Sequence, residues 1–299
     1  MWTKKDVPDQ TGRTVIVTGA NVGIGFETTL ALYEAGANVI LACRNPKSAE
    51  DTLGKLQELK GKGTLETGVL DLADLNSVKE FANIFIQKHK RLDLLINNAG
   101  VSMPPASKTT EGYELQFGVN FLGHFALTGH LYPFLKETPD SRIITVSSNG
   151  YQVAVIDFDN LKSEVSYDPM REYRQSKLAD LIFSVELHRR IIAKGHKVLS
   201  IAAQPGANKT ELTRHLSEEV IAAGIARIGE FMEPWQGALT SLYAAVSNEA
   251  RGGNLYEPDN GGYRGYPTLA TIKENALDRT VAKRLWNLAE QVTGVHYPT

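Results

Sequence analysis

The chain has 299 residues, with 32 Lys and Arg against 34 Asp and Glu and a net charge of −2. It lacks the basic surplus that displaces counterions from a phosphate backbone, so no nucleic-acid partner is expected. Cys43 is the only cysteine, which excludes an intrachain disulfide and a cysteine-rich zinc site.

RTVIVT (13–18) is a short β-branched run, as expected of a strand buried on both faces. A glycine-punctuated turn follows, then a helix with Phe26, Leu30 and Tyr33 on one face, ending at Gly36. Further strands are predicted at NVILA (38–42), 65–71, LDLLIN (92–97), RIITVS (142–147), KVLSIAA (197–203) and NLYE (254–257). Between them, Val78, Phe81, Phe85 and His89 keep helical spacing, and 111–136 and 173–194 are long enough for helices. Strand–helix alternation implies right-handed crossovers. The fold expected is therefore a single doubly wound parallel sheet of Rossmann type, helices on both faces, with one domain over 1–299. No apolar run approaches the ~18 residues of a membrane span. The opening MWTKKDVPDQ has no apolar stretch to serve as a signal. The expectation is a soluble, cytoplasmic protein without a membrane anchor.

The first strand runs into Thr18-Gly19-Ala20-Asn21-Val22-Gly23-Ile24-Gly25. Glycines allow positive φ and a close backbone approach, and the helix that follows turns unpaired N–H groups and its positive dipole end toward the same point. A pyrophosphate suits that place, with Gly19, Asn21, Gly23, Ile24 and Gly25 as its cradle; the other reading is a tight turn with no ligand. The spacing is G-x-x-x-G-x-G, not the usual G-x-G-x-x-G. About 20 residues on, where a carboxylate would take the ribose hydroxyls of NAD, the chain reads Leu41-Ala42-Cys43-Arg44-Asn45. Glu50 is the nearest downstream acid. A guanidinium without a carboxylate favours the 2′-phosphate of NADP over NAD.

Asn97-Asn98-Ala99-Gly100 closes the fourth strand; Asn120, Ser147-Ser148 and Tyr173-Arg174-Gln175-Ser176-Lys177 follow. Tyr173 and Lys177 are i and i+4, on one helical face. A phenol titrates near 10, and lowering that by ~3 units takes about 4 kcal/mol of preferential phenolate stabilisation, which a nearby ammonium can supply.

In order and chemistry these segments resemble the short-chain dehydrogenase/reductase family, in its TGxxxGxG and YxxxK branch. The stretch LLINNAGVSMPPASKTTEGYELQFGVNFLGHFALT is similar to its retinol-dehydrogenase-like subgroup. The resemblance implies an alcohol/carbonyl oxidoreductase in which Tyr173 passes the proton. Lys177 would lower the tyrosine pKa and hold the ribose, Ser148 orient the substrate oxygen, and Asn120 anchor a water in a proton relay. Ser147 has the same side-chain chemistry as Ser148; the family's strand ending selects the second. The match further assigns Asp71 and Leu72 to the adenine ring and Asn97, Ala99 and Gly100 to the adenosine side. Pro205, Gly206 and Thr210 would close over the nicotinamide. Asp71 equally suits a strand-end turn, and Thr210 a helix N-cap. No metal is implied: the seven histidines include no HExxH pair.

The family's serine usually precedes its tyrosine by about a dozen residues; here the interval is 173 − 148 = 25, which the retinol-dehydrogenase-like subgroup shares. Pocket walls are expected from 101–105, 149–172 and a lid at about 207–235. They bring Met103, Tyr151, Val153, Val155, Phe158, Phe231, Met232 and Trp235, hence a lipophilic carbonyl substrate. The family's dimer and tetramer contacts fall on 111–136 and 173–194. Two other readings are a non-catalytic NADP-binding sensor and a nucleotide-sugar epimerase or dehydratase. An intact Asn-Ser-Tyr-Lys set counts against the first; the glycine spacing and the lack of a large C-terminal substrate domain count against the second.

Overall fold

A computed structural model of the chain describes residues 1–210 and 218–297. Its strands are β1 (Thr14–Thr18), β2 (Asn38–Cys43), β3 (Thr64–Val69), β4 (Leu94–Asn97), β5 (Arg142–Val146), β6 (Leu199–Ala203), β7 (Leu255–Asn260) and β8 (Arg264–Leu269). They form one sheet in the order β3-β2-β1-β4-β5-β6-β7-β8. Pairing is parallel from β3 through β7, with β8 antiparallel at the edge. The expected doubly wound sheet is what the chain adopts.

Alternation along the central strands feeds two cores. Val15, Val17, Leu94 and Ile96 face one side, while Ile16 and Leu95 face the other. The first side is covered by α1 (Gly23–Glu34), α2 (Pro46–Glu58) and α7 (Pro234–Val246). The second is covered by α3 (Leu75–Lys88), α4 (His124–Glu137), α5 (Pro169–Ala193) and α8 (Arg279–Thr293). Helix α6 spans Glu218–Ile228.

Several elements differ from the pattern-based expectation. In α1, Phe26 and Leu30 are only half-buried, whereas Thr28, Thr29 and Leu32 are buried, because α7 packs against this helix as well as the sheet. The run predicted as one helix over 111–136 has a π-helical turn over Phe117–Gly123 ahead of α4. Strand β8 was not predicted. It carries Gly265 and Pro267, is half-exposed, and lies on the sheet edge, where a proline costs no ladder bond. Helix α8 and the segment after it lay Trp286 and Tyr297 against Phe125 of α4 and Phe183 of α5, with ring centroids 4.9–6.3 Å apart. Of the lid expected at 207–235, residues 211–217 lie outside the described residues. Among the described residues, no helix is long and apolar enough to cross a membrane.

Candidate active site

Strand order reverses at β1: β2 and β3 lie on one side, β4 onward on the other. In open α/β sheets the crevice at such a switch point, beyond the carboxyl ends of the strands, is where ligands bind. Here those ends carry the glycine turn after β1 and Asn97 to Gly100 after β4.

Close packing dictates the glycines. Gly19 has φ +64°, and a Cβ on it would lie 2.9 Å from the Ala99 Cα; one on Gly25 would lie 2.1 Å from the Gly19 carbonyl. Helix α1 therefore starts directly against the β1–β4 junction. Its N-cap, Val22, supplies no side-chain hydrogen bond, so the first-turn N–H groups of Gly23, Ile24 and Gly25 keep their capacity for an anion. Thr210 sits over this turn, its methyl 3.2 Å from where a Gly23 Cβ would be. The cradle fits a pyrophosphate. Asn21 is spent on architecture: its Nδ2 donates to Ser48 Oγ of α2 (2.9 Å), and its carbonyl accepts from Thr52 (3.3 Å). That tie holds the start of α2 beside the turn; Arg44, between β2 and α2, is exposed. Glu50 accepts a hydrogen bond from Thr67 of β3.

A chain of hydrogen bonds links the turn to Asn120. The N–H groups of Asn98 and Ala99 donate to Thr18 Oγ1, each at 2.9 Å. His124 Nδ1 lies 2.7 Å from the Asn120 carbonyl and so carries the proton; Nε2 then accepts from the Thr18 hydroxyl at 2.9 Å. Burial pushes the His124 pKa down to about 3, with the hydrogen bond to Asn120 opposing and Lys177 adding to the fall. The imidazole is thus neutral at ordinary pH. Asn120 itself, in the π-helical turn, donates to Val101 O (3.0 Å) and Ser176 Oγ (2.9 Å) and accepts from Val101 N–H (2.8 Å).

The two serines after β5 are unlike. Ser147 is buried and its hydroxyl donates to the Lys177 carbonyl at 2.7 Å. Ser148 is half-buried and its oxygen accepts from Gly150 N–H at 3.3 Å. Tyr173 is half-buried on the first turns of α5. One turn on, the Lys177 ammonium donates to Val146 O (2.9 Å) and to Asp180 Oδ2 (2.8 Å). Desolvation works to lower its pKa, but Asp180 and Tyr173 outweigh it and the net shift is upward. Gly100 closes this corner: a Cβ there would lie 3.3 Å from Asn120 Oδ1 and 3.7 Å from Lys177 Nζ. Asn120, Gly100, Tyr173 and Lys177 are therefore brought together.

At five expected positions the side chain is engaged elsewhere. The Asn97 side chain is buried and donates to Thr128 Oγ1 of α4 (2.9 Å), because consecutive strand residues point to opposite faces. It is Asn98 whose amide reaches the turn, donating to the Thr18 carbonyl at 2.9 Å. The Asp71 carboxylate holds its own turn, accepting from Ala73 N–H at 3.0 Å, and Leu72 is core, packed on Gly123. Tyr151 is core rather than pocket wall: its hydroxyl accepts from Lys273 N–H (3.3 Å) and its carbonyl from Asn275 (2.8 Å). Met232 is likewise buried.

Pattern reading missed the pieces that meet at Pro205-Gly206. The β7–β8 turn docks here: Asn149 and Gln204 both donate to Gly262 O (2.8 and 2.6 Å), and Ala207 N–H donates to Tyr263 O (2.9 Å). It also missed Asp180 and His124. An i,i+3 acid after the lysine was a usable signal for the former; nothing in the sequence marks His124 as more than a helix residue.

Residues 13–221 match the family model described as short chain dehydrogenase. The human Retinol dehydrogenase 14 is 39% identical over 300 residues, covering 95% of this chain and 87% of that protein. Human Retinol dehydrogenase 13 is 40% identical, covering 96% and 86%. The crystal structure of an uncharacterized protein from Mycobacterium Paratuberculosis superposes with a TM-score of 0.83 at 36% identity, covering 100% of this chain and 99% of that one.

Proposed function

The chain belongs to the short-chain dehydrogenase family, as an oxidoreductase acting on CH–OH groups, and we propose that it interconverts a lipophilic alcohol and its carbonyl using NADP, with Tyr173 as general acid/base. The observation that carries the reading is the cluster of Tyr173, Lys177, Asn120 and Gly100 beyond the ends of β4 and β5, beside an uncapped glycine cradle.

The pyrophosphate is assigned to Gly19, Gly23, Ile24 and Gly25, and the 2′-phosphate to Arg44. The reading also keeps Ala99, Gly100, Pro205, Gly206 and Thr210 along the cofactor, with backbone rather than side-chain roles for Asn97, Asp71 and Leu72. NADP, when bound, supplies or takes up the hydride. Ser148 donates to the substrate oxygen and fixes its position. In reduction the Tyr173 phenol gives its proton to that oxygen; in oxidation the phenolate receives it. The Lys177 ammonium stabilises the phenolate, and Asn120 holds the way to solvent for the replacement proton. Met103, Val153, Val155 and Trp235 support an apolar substrate: the first is half-buried in the segment that follows β4, and the others are exposed. One oxidoreductase domain, a cytoplasmic location, and homodimer or homotetramer contacts through α4 and α5 belong to the same reading.

The test is NADPH consumption by the purified chain against aliphatic, aromatic and terpenoid aldehydes and ketones, with NADH in parallel. Turnover that prefers NADPH is expected. Tight NADPH binding without turnover in either direction would replace the reading by the sensor.

A further inference from the structure

The Lys177 ammonium and the Asp180 carboxylate form a pair 2.8 Å apart, with side chains 6% and 2% exposed. An ammonium has three N–H donors. One goes to Asp180 and one to the Val146 carbonyl, which leaves one for the side of the pair where Tyr173 stands. Asp180 Oδ1 is buried with no hydrogen-bond partner among the described residues. A carboxylate oxygen left in that state is costly, and apolar residues in place of the whole buried pair would hold the fold at least as well. Asp180 caps no helix end and, among the described residues, touches no other charge. Its one strong relation is to Lys177.

We propose that Asp180 is a positioning residue for the reaction: it holds the Lys177 ammonium in place and weakens its field at Tyr173, and so sets the pH window in which the tyrosine exchanges its proton. This rests on the reading of Tyr173 as acid/base. An ammonium alone acts on a neighbouring phenol with a full positive charge; beside a carboxylate, the pair is neutral and acts as a dipole. The other groups around the pair do not do this work. His124 of α4 is neutral. The π-helical turn and β6 carry no titratable residue, and β5 only Arg142 at its far end, bonded to Ala244 O and Ser247 O. In the 3-10 turn over Asn149–Val153, Tyr151 is occupied by Lys273 N–H. On α8, Arg279, Lys283 and Arg284 are exposed, and Glu290 pairs with His296. Burial, opposed by Lys177, raises the Asp180 pKa to about 6, so the carboxylate is charged where the enzyme would work.

The sign follows. Removing the Asp180 charge leaves the ammonium uncompensated, favours the phenolate, and lowers the apparent pKa of Tyr173. Reduction needs the phenol and fails above that pKa; oxidation needs the phenolate and rises through it. In Asp180→Asn both limbs of kcat/KM, measured with the aldehyde of the above panel turned over fastest and with its alcohol, should move to lower pH by about one unit. Asp180→Ser, smaller and equally uncharged, should move them the same way and serves if the asparagine variant does not fold. Unmoved limbs, an upward shift, or an equal loss at every pH would overturn the inference and reduce Asp180 to packing. Tyr173→Phe separates the two readings: if it retains turnover, the assignment of the acid/base fails. If it abolishes turnover while the Asp180→Asn limbs stay put, only the role of Asp180 fails.

Discussion

His124 makes acid a destabilising condition for this protein in a way that one substitution isolates. The imidazole is 2% exposed, gives its Nδ1 proton to Asn120 O and takes the Thr18 hydroxyl proton at Nε2, so no lone pair is left for a second proton. Its pKa falls from 6.5 to about 3 on folding. The unfolded chain therefore binds the proton more readily, and stability present above pH 6.5 is lost progressively as pH falls toward 3. Between pH 7 and pH 5 the linkage relation gives a loss of about 2 kcal/mol from this one group. Asp180 works in the opposite direction, because its raised pKa makes the folded chain the better proton acceptor between 3.8 and about 6. The parent's total pH dependence thus mixes the two, and a difference measurement is needed. Urea unfolding at pH 7 and pH 5, on the parent and on His124→Gln, supplies it. The parent should lose about 2 kcal/mol more than the variant on acidification, or about 0.7 M in midpoint if m is about 3 kcal/mol/M. Parallel losses in the two proteins would refute a neutral, doubly bonded His124.

Two further perturbations probe separate parts of the molecule. Arg44→Asp should swing cofactor preference from NADPH toward NADH by at least about tenfold, since a charge-assisted bond worth ~1.5–3 kcal/mol is replaced by repulsion; unchanged relative affinities would remove Arg44 from the phosphate site. Trp286→Ala should cost about 3–5 kcal/mol in urea unfolding, because the indole is buried against Phe125, Tyr297 and the Arg190 guanidinium. A loss below about 1 kcal/mol would mean that α8 is not part of the core.

The parallel strands were legible because Val15 to Val17, Val39 to Leu41 and Ile143 to Ile144 are apolar on both faces, which few other structures need. Strand β8 was not, since RGYPTL carries one glycine, one proline and no alternation, and only pairing with β7 makes it a strand. The choice between Asn97 and Asn98 was beyond pattern reading: both are polar, and strand pleat alone decides which side chain meets α4 and which the glycine turn. Asp71 and Leu72 rest on family likeness and Tyr151 on its place in an expected pocket wall, and the structure shows local work for each that a motif does not encode. The i,i+4 relation of Tyr173 and Lys177 was readable from helical period. Of the two partners that hold Lys177, Val146 needed the third dimension, being 31 residues away, whereas Asp180 was open to the i,i+3 spacing and only its burial was not.

The most direct measurement is NADPH-dependent carbonyl reduction by Tyr173→Phe, run beside NADPH binding to the same protein. Turnover reduced by several orders of magnitude with binding unchanged is the expected result, since the substitution removes one hydroxyl and leaves the glycine cradle and Arg44 intact. Turnover close to that of the parent would contradict Tyr173 as the proton donor.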